Sequence, residues 1–230
     1  MLGNYLVIYD YPANGCARMK TFIMDQEQAR VRQLANIAST VLHPYLVFSL
    51  AVALVSYQSD PSISVWAKWT AVALLSAYML PVSYMQIKMA LAARTSGTKI
   101  SFRPFFREKP NEMLLLACLF GIPSALVLYL LGAPHHLTAT VVAVAITSVL
   151  IALVNRVYRA SFHLSLFTSM IIPVAIVFGP PALIAVSFLV PLLGVSRYLL
   201  GEHTPLQLVT GFLLGLVVTT AIFLVLSLIL

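Results

Sequence analysis

Three stretches of the sequence combine cations with imidazoles or hydroxyls in a way that suits phosphate chemistry. In one, Ser196 and Arg197 stand seven and six positions before His203, and Gln207 follows four later. Thr204-Pro205 reads as a helix start, and residues four apart share a helical face, so Gln207 is expected to hold the His203 ring if the helix includes both. Glu202 adjoins His203, and neighbours on a helix point apart, which favours Gln207 as the partner. A second stretch, 156–163, carries Arg156, Arg159, Ser161 and His163. The third, 94–110, has five cations, Arg94, Lys99, Arg103, Arg107 and Lys109, against one acid, Glu108. Guanidinium and ammonium groups converging on one point neutralise a phosphate, arginine in bidentate fashion. Two imidazoles flanking that point would serve as nucleophile and general acid, the nucleophile needing a partner that fixes its tautomer. Glu108 and Glu112 share one segment and Asp60 lies at the far end of a span, so no carboxylate pair for Mg²⁺ is expected. Metal-free phosphoryl transfer, without a cofactor, is the chemistry this set suits.

Each stretch also has a plainer use. The 94–110 segment suits a loop that binds lipid headgroups, and a lone histidine at 163 suits a capped helix end. Trp66, Lys68 and Trp69 read as an interfacial belt, His135-His136 as solvated turn residues, and His43-Pro44 as a capped or kinked helix end. Gly211 and Gly215 form a G-x3-G pair that permits close helix contact.

The elements that must position these residues follow from composition. Of 230 residues 60% are hydrophobic and 9% charged, against ~45–50% and ~25% in soluble domains, which excludes a soluble globular protein. A span consumes about 20 apolar residues, and apolar runs fall at 37–58, 66–93, 112–132, 137–157, 163–179, 181–200 and 204–229. Breakers separate them at Ser59-Asp60-Pro61, Gly132-Ala133-Pro134 and Gly179-Pro180-Pro181. The expected fold is all-α, a polytopic transmembrane helical bundle of six or seven spans. A polar N-terminal segment, 1–36, with a surface helix over 24–32, precedes a single transmembrane domain, 37–230. No cleavable signal peptide is expected, because the first 18 residues hold no long apolar core. Cys16 and Cys118 are too far apart in character and position to imply a disulfide framework.

All three chemical stretches fall at span ends separated by even numbers of spans, so they return to one side. That side carries 13 of the 14 Lys and Arg residues, with Lys68 alone opposite. The positive-inside rule makes it cytoplasmic, and removing Arg103, Arg107, Lys109 and Arg197 as possible anion ligands still leaves nine against one. The basic surplus is therefore a topology signal and calls for no nucleic acid. Oligomeric state is left open.

Ser196-Arg197-x5-His203 resembles the last motif of the type-2 phosphatidic acid phosphatase superfamily, the membrane relatives of vanadium haloperoxidases, whose pattern is S-R-x5-H-x3-D. Gln207 stands at the Asp position. The family's P-S-G-H motif is approximated by Ala160-Ser161-Phe162-His163, which keeps the Ser and His and lacks the Pro and Gly. The first motif, K-x6-R-P, is absent: Arg103-Pro104 has Ser96 at the Lys position, and Lys109-Pro110 has Phe102. The resemblance covers about residues 94–215, and the pair of spans at 112–157 looks like an addition to the family's usual six.

The resemblance implies a lipid-phosphate phosphatase for which polyprenyl (pyro)phosphates or phosphatidate-like lipids are substrates and membrane lipids the surroundings. His203 would attack phosphorus and form a phosphohistidine. His163 would protonate the leaving oxygen and then activate water. Arg197, with Arg103, Arg107 or Lys109, would hold the equatorial oxygens, and Ser161 would add a hydroxyl donor. Gln207 can fix the His203 tautomer and only weakly stabilises the imidazolium that develops, and Phe162 removes a glycine whose N–H could approach phosphate. Other readings are a catalytically weak lipid-phosphate-binding, structural or transport protein, or a transferase handling prenyl diphosphates.

Overall fold

The computed structural model describes residues 5–10, 18–23, 26–96 and 110–229. The chain is a helical membrane bundle, and its helices after the first follow the apolar runs of the sequence. A short antiparallel ribbon, β1 (Tyr5–Asp10) with β2 (Arg18–Ile23), precedes the helices.

The first helix, α1 (Gln26–Val41), continues past residue 36 without a break and leaves Leu34, Ile37 and Val41 exposed on one face, as suits a helix lying in a membrane surface. It ends where Pro44 lacks an amide hydrogen and restricts the residue before it. His43 takes an extended backbone there and caps α2 (Pro44–Ser59), which is bent 43° from α1. The expected kink at His43-Pro44 is thus present. A rod of 33 residues follows, Ile63–Thr95, made of α3 (Ile63–Leu74), a π-turn (Leu75–Met79) and α4 (Leu80–Ser96).

Beyond residue 109 the chain forms α5 (Pro110–Leu116), a second π-turn (Ala117–Gly121) and α6 (Ile122–Leu130). Next come α7 (His135–Val154), α8 (Phe162–Phe178), α9 (Pro180–Leu199) and α10 (Pro205–Ile229). Among the described residues five helices are long and apolar enough to cross a membrane, or six counting the bent α1–α2 pair. The remaining expected span, 163–179, is α8, which has 17 residues, about 25 Å at 1.5 Å per residue, short of a ~30 Å hydrocarbon layer.

That short helix is the centre of the molecule. Ten of its residues are buried, among them Ser165, Thr168 and Ser169, and it packs against α2, α7, α9 and α10. Thr168 and Ser169 return their hydroxyls to carbonyls one turn back, Leu164 and Leu166, both at 2.8 Å, which satisfies those two donors inside the bundle, whereas the buried Ser165 hydroxyl has no hydrogen-bond partner. Its closest neighbour is α10, which runs parallel to it: Gly211 lies against the Ser161 carbonyl, and Gly215 against the Ser165 carbonyl and Thr168. A Cβ at Gly211 or Gly215 would stand 2.5 or 2.4 Å from those oxygens, so glycine is what allows the two backbones to touch.

Candidate functional site

Parallel packing of α8 and α10 brings their first turns together at one end of the bundle. The backbone N–H of Ser161 donates to the Gln207 carbonyl at 3.0 Å, which ties the stretch bearing His163 to the stretch bearing His203. Ser161 caps α8, its hydroxyl accepting from Leu164 N–H at 3.4 Å, and it is fully buried. The hydroxyl assigned from sequence to a phosphate is therefore, in this structure, part of the helix start.

The turn before α10 is built by two local motifs. Gly201 adopts φ +70°, a left-handed conformation that favours glycine. Its N–H donates to Tyr198 C=O at 2.9 Å and that of Glu202 to Arg197 C=O at 3.2 Å, the paired bonds of a Schellman ending to α9. Three residues later Thr204 opens α10: its carbonyl accepts from Leu208 N–H, and its hydroxyl from Gln207 N–H at 3.4 Å. Gln207 Oε1 accepts in return from Thr204 N–H at 3.1 Å. This is a capping box with Gln at its third position. The helix begins at Pro205 and does not include His203, contrary to the condition attached to their spacing, because Thr204 and Pro205 supply the cap and first residue.

The expected pair forms nonetheless. His203 Nδ1 lies 3.2 Å from Gln207 Oε1. Because the Thr204 amide donates to that same atom, it must be the amide oxygen, so Nδ1 carries the hydrogen and donates. A neutral His203 then keeps its lone pair on Nε2. Glu202, outside any helix, turns back instead to form an ion pair with Arg197.

Arg197 is only 4% exposed. Besides Glu202 it reaches Ser39 of α1, donating to its hydroxyl at 3.1 Å. Arg197 is thus brought to the site, where it braces both the His203 turn and the end of α1. Four residues after Ser39, His43 meets His163 edge to face, with ring centroids 5.3 Å apart and planes at 86°. Its Nδ1 accepts from Tyr45 N–H at 3.4 Å, so the neutral ring carries its hydrogen on Nε2. Sequence reasoning treated His43 as a helix end and missed this neighbour; the signal was a histidine at a proline-marked break on the same side as the other two. All three imidazoles are half-buried.

Arg103, Arg107 and Lys109 lie outside the described residues. The helices flanking their segment are tied to their neighbours by polar contacts. Lys88 of α4 pairs with Glu112 of α5 at 3.0 Å, and Arg156, after α7, donates to Asn111 at 2.8 Å. Among the described residues no group of three or more His, Cys, Asp or Glu side chains is arranged to hold a metal. No protein-family model matches the chain, and no curated protein or solved structure matches it.

Proposed function

We propose that this protein is an integral membrane lipid-phosphate phosphatase, working without a metal through a phosphohistidine on His203. Its substrates are polyprenyl (pyro)phosphates or phosphatidate-like lipids, and its site faces the cytoplasm. The observation that carries this reading is the Gln207 junction. Its carbonyl accepts from Ser161 and its side chain from His203, so one residue joins the two starts whose histidines the chemistry needs. It supports the reading that the resemblance to the type-2 phosphatidic acid phosphatases implies, by tying together the two helix starts that carry the matching motifs.

In this mechanism His203 Nε2 attacks phosphorus and the P–O bond to the lipid breaks. His163 gives its proton to the departing alkoxide. His163, now neutral, takes a proton from water as that water attacks the phosphohistidine, releasing orthophosphate and regenerating His203. Arg197 serves the equatorial oxygens by exchanging Glu202 for phosphate, since one guanidinium fork holds one bidentate anion at a time.

The test is orthophosphate release from a long-chain lipid phosphate by the full chain in lipid nanodiscs. Release that vanishes in His203→Ala and in His163→Ala, with acid-labile label trapped on the His163→Ala protein, supports the reading. Turnover surviving His203→Ala removes it. The neutral Gln207 favours a second reading, a lipid-phosphate binder without turnover, for which saturable binding with no phosphate release is the mark.

A further inference from the structure

Beside the histidines the bundle contains a crevice that none of the chemistry above uses. It lies between α2, α4, α5, α7 and α8, and both π-turns contribute to its wall, through Ala77 and Tyr78 in one and Ala117 and Gly121 in the other. A π-turn carries an extra residue and marks functional ground more often than ordinary helix does. Two of them at one cavity is a second departure from regular helix in the same place. Past the first π-turn, α4 meets α5 through side chains, among them the Lys88–Glu112 pair. Met85, Met89, Met113 and Phe120 fill the space between them. Thioether walls are pliable and adapt to varied apolar shapes.

The crevice adjoins the site. Tyr45 and Phe162 line it; the Tyr45 ring lies 5.0 Å from that of His43, and His43 contacts His163, the residue directly after Phe162. The Tyr45 hydroxyl donates to Met85 Sδ at 3.6 Å, a weak acceptor that a ligand displaces easily. The cavity, of about 120 Å³, falls in the size class in which an apolar cavity of ~150 Å³ takes up benzene, room for a chain segment of about six carbons.

We infer that this crevice binds the first carbons of a single hydrocarbon chain, with the phosphate that the chain carries placed among His43, His163 and His203. The inference rests on the lipid-phosphate reading of that site and adds that the site measures the chain next to the phosphate. A bilayer already solvates the chain, so burial from water supplies no preference there. Fit against the crevice wall does.

The experiment uses non-hydrolysable probes, so it does not depend on turnover. Binding of decylphosphonate and of methylphosphonate to the full chain is measured by titration, in detergent held at one concentration. The wild type is expected to bind decylphosphonate at least tenfold more tightly. Ala77→Phe and Met113→Trp, each filling the crevice, should reduce that ratio to within about twofold while leaving methylphosphonate binding unchanged. A decylphosphonate bearing a diazirine at its fourth carbon should label Met85, Met113 or Met170 in the wild type, which needs no variant to fold. Labelling confined to residues outside the crevice, or an undiminished chain preference in both variants, overturns the inference. Loss of phosphate release in the wild type with the chain preference behaving as expected would remove the phosphatase reading alone.

Discussion

Gln207 does two jobs with one oxygen: it accepts from Thr204 N–H to start α10 and from His203 to fix its tautomer. A carboxylate of the same length keeps both contacts and adds what Gln lacks, a charge that stabilises the imidazolium formed on attack. Gln207→Glu is therefore expected to raise kcat at least about tenfold, given that a neutral partner in a His–Asp pair costs about 10⁴-fold elsewhere. Gln207→Asp, one methylene shorter, should raise it less, because it reaches His203 only by loosening the cap. Gln207→Ala should lower both turnover and stability, the latter by about 1 kcal/mol for a lost cap. Initial rates and thermal midpoints of the three variants check this, and a Glu variant no faster than the wild type would remove Gln207 from the chemistry. Glu202 poses the opposite case. Its carboxylate occupies Arg197, so Glu202→Gln should strengthen orthovanadate inhibition several-fold by ending that competition, and should lower the thermal midpoint because a buried guanidinium loses its counter-charge. Unchanged inhibition would mean that Arg197 only braces the turn. The His203–Gln207 contact was legible as a spacing of four. The Glu202–Arg197 pair was not, because a helical-face argument does not apply in a Schellman turn, where the chain doubles back. Nor was the His43–His163 contact, since 120 positions separate the two and no periodicity links them.

At the scale of elements, the site depends on how closely α8 and α10 approach. Gly211 faces a carbonyl, a backbone atom that cannot swing aside, and the carbonyl belongs to Ser161, whose N–H holds Gln207. Gly211→Ala should push the two helix starts apart, lowering stability by about 1–3 kcal/mol as overpacking does and slowing hydrolysis by up to ~10² through misplacement of the two imidazoles. Gly194→Ala in α9 is the matched comparison. Its new methyl would meet Leu164 at an ordinary 3.8 Å, so stability and rate should stay near the wild-type values. Equal effects at both positions would show that helix packing in general, and not this contact, sets the site. The G-x3-G pattern announced close contact, and the breakers at Gly132 and Gly179 announced two of the turns; Gly201, not read as a breaker, makes the third, and all three have φ near +70°. The two π-turns carry no comparable mark. Their residues, LSAYM and ACLFG, are ordinary for an apolar helix, and only packing against neighbours selects the wider turn.

For the whole molecule, substrate access depends on which end of the bundle meets the cytoplasm. Counting helices from α2 to α10 places Arg94, Arg156, Arg159 and Arg197 at the end that holds the histidines, and Lys68 at the other with His135 and His136. The even number of spans between the chemical stretches was readable because apolar runs and their breakers are strong signals. The partnership of α1 with α9, through Ser39 and Arg197, was not, since it joins the two ends of the chain. The positive-inside rule acts on loops near span ends, and this asymmetry is large enough to predict a single orientation. In a Cys16→Ser, Cys118→Ser background, a cysteine at exposed Arg159 should react with a membrane-impermeant maleimide in inside-out vesicles and resist it in intact cells. A cysteine at Ser62, which precedes α3 at the opposite end, should show the reverse. Arg159→Cys removes one cation of a large excess, so it should not invert the protein. Reaction of both positions from the outside would indicate mixed orientation, and reversal of the pattern would put the three histidines on the outer face, where a phosphate carried by an inner-leaflet lipid could not reach them.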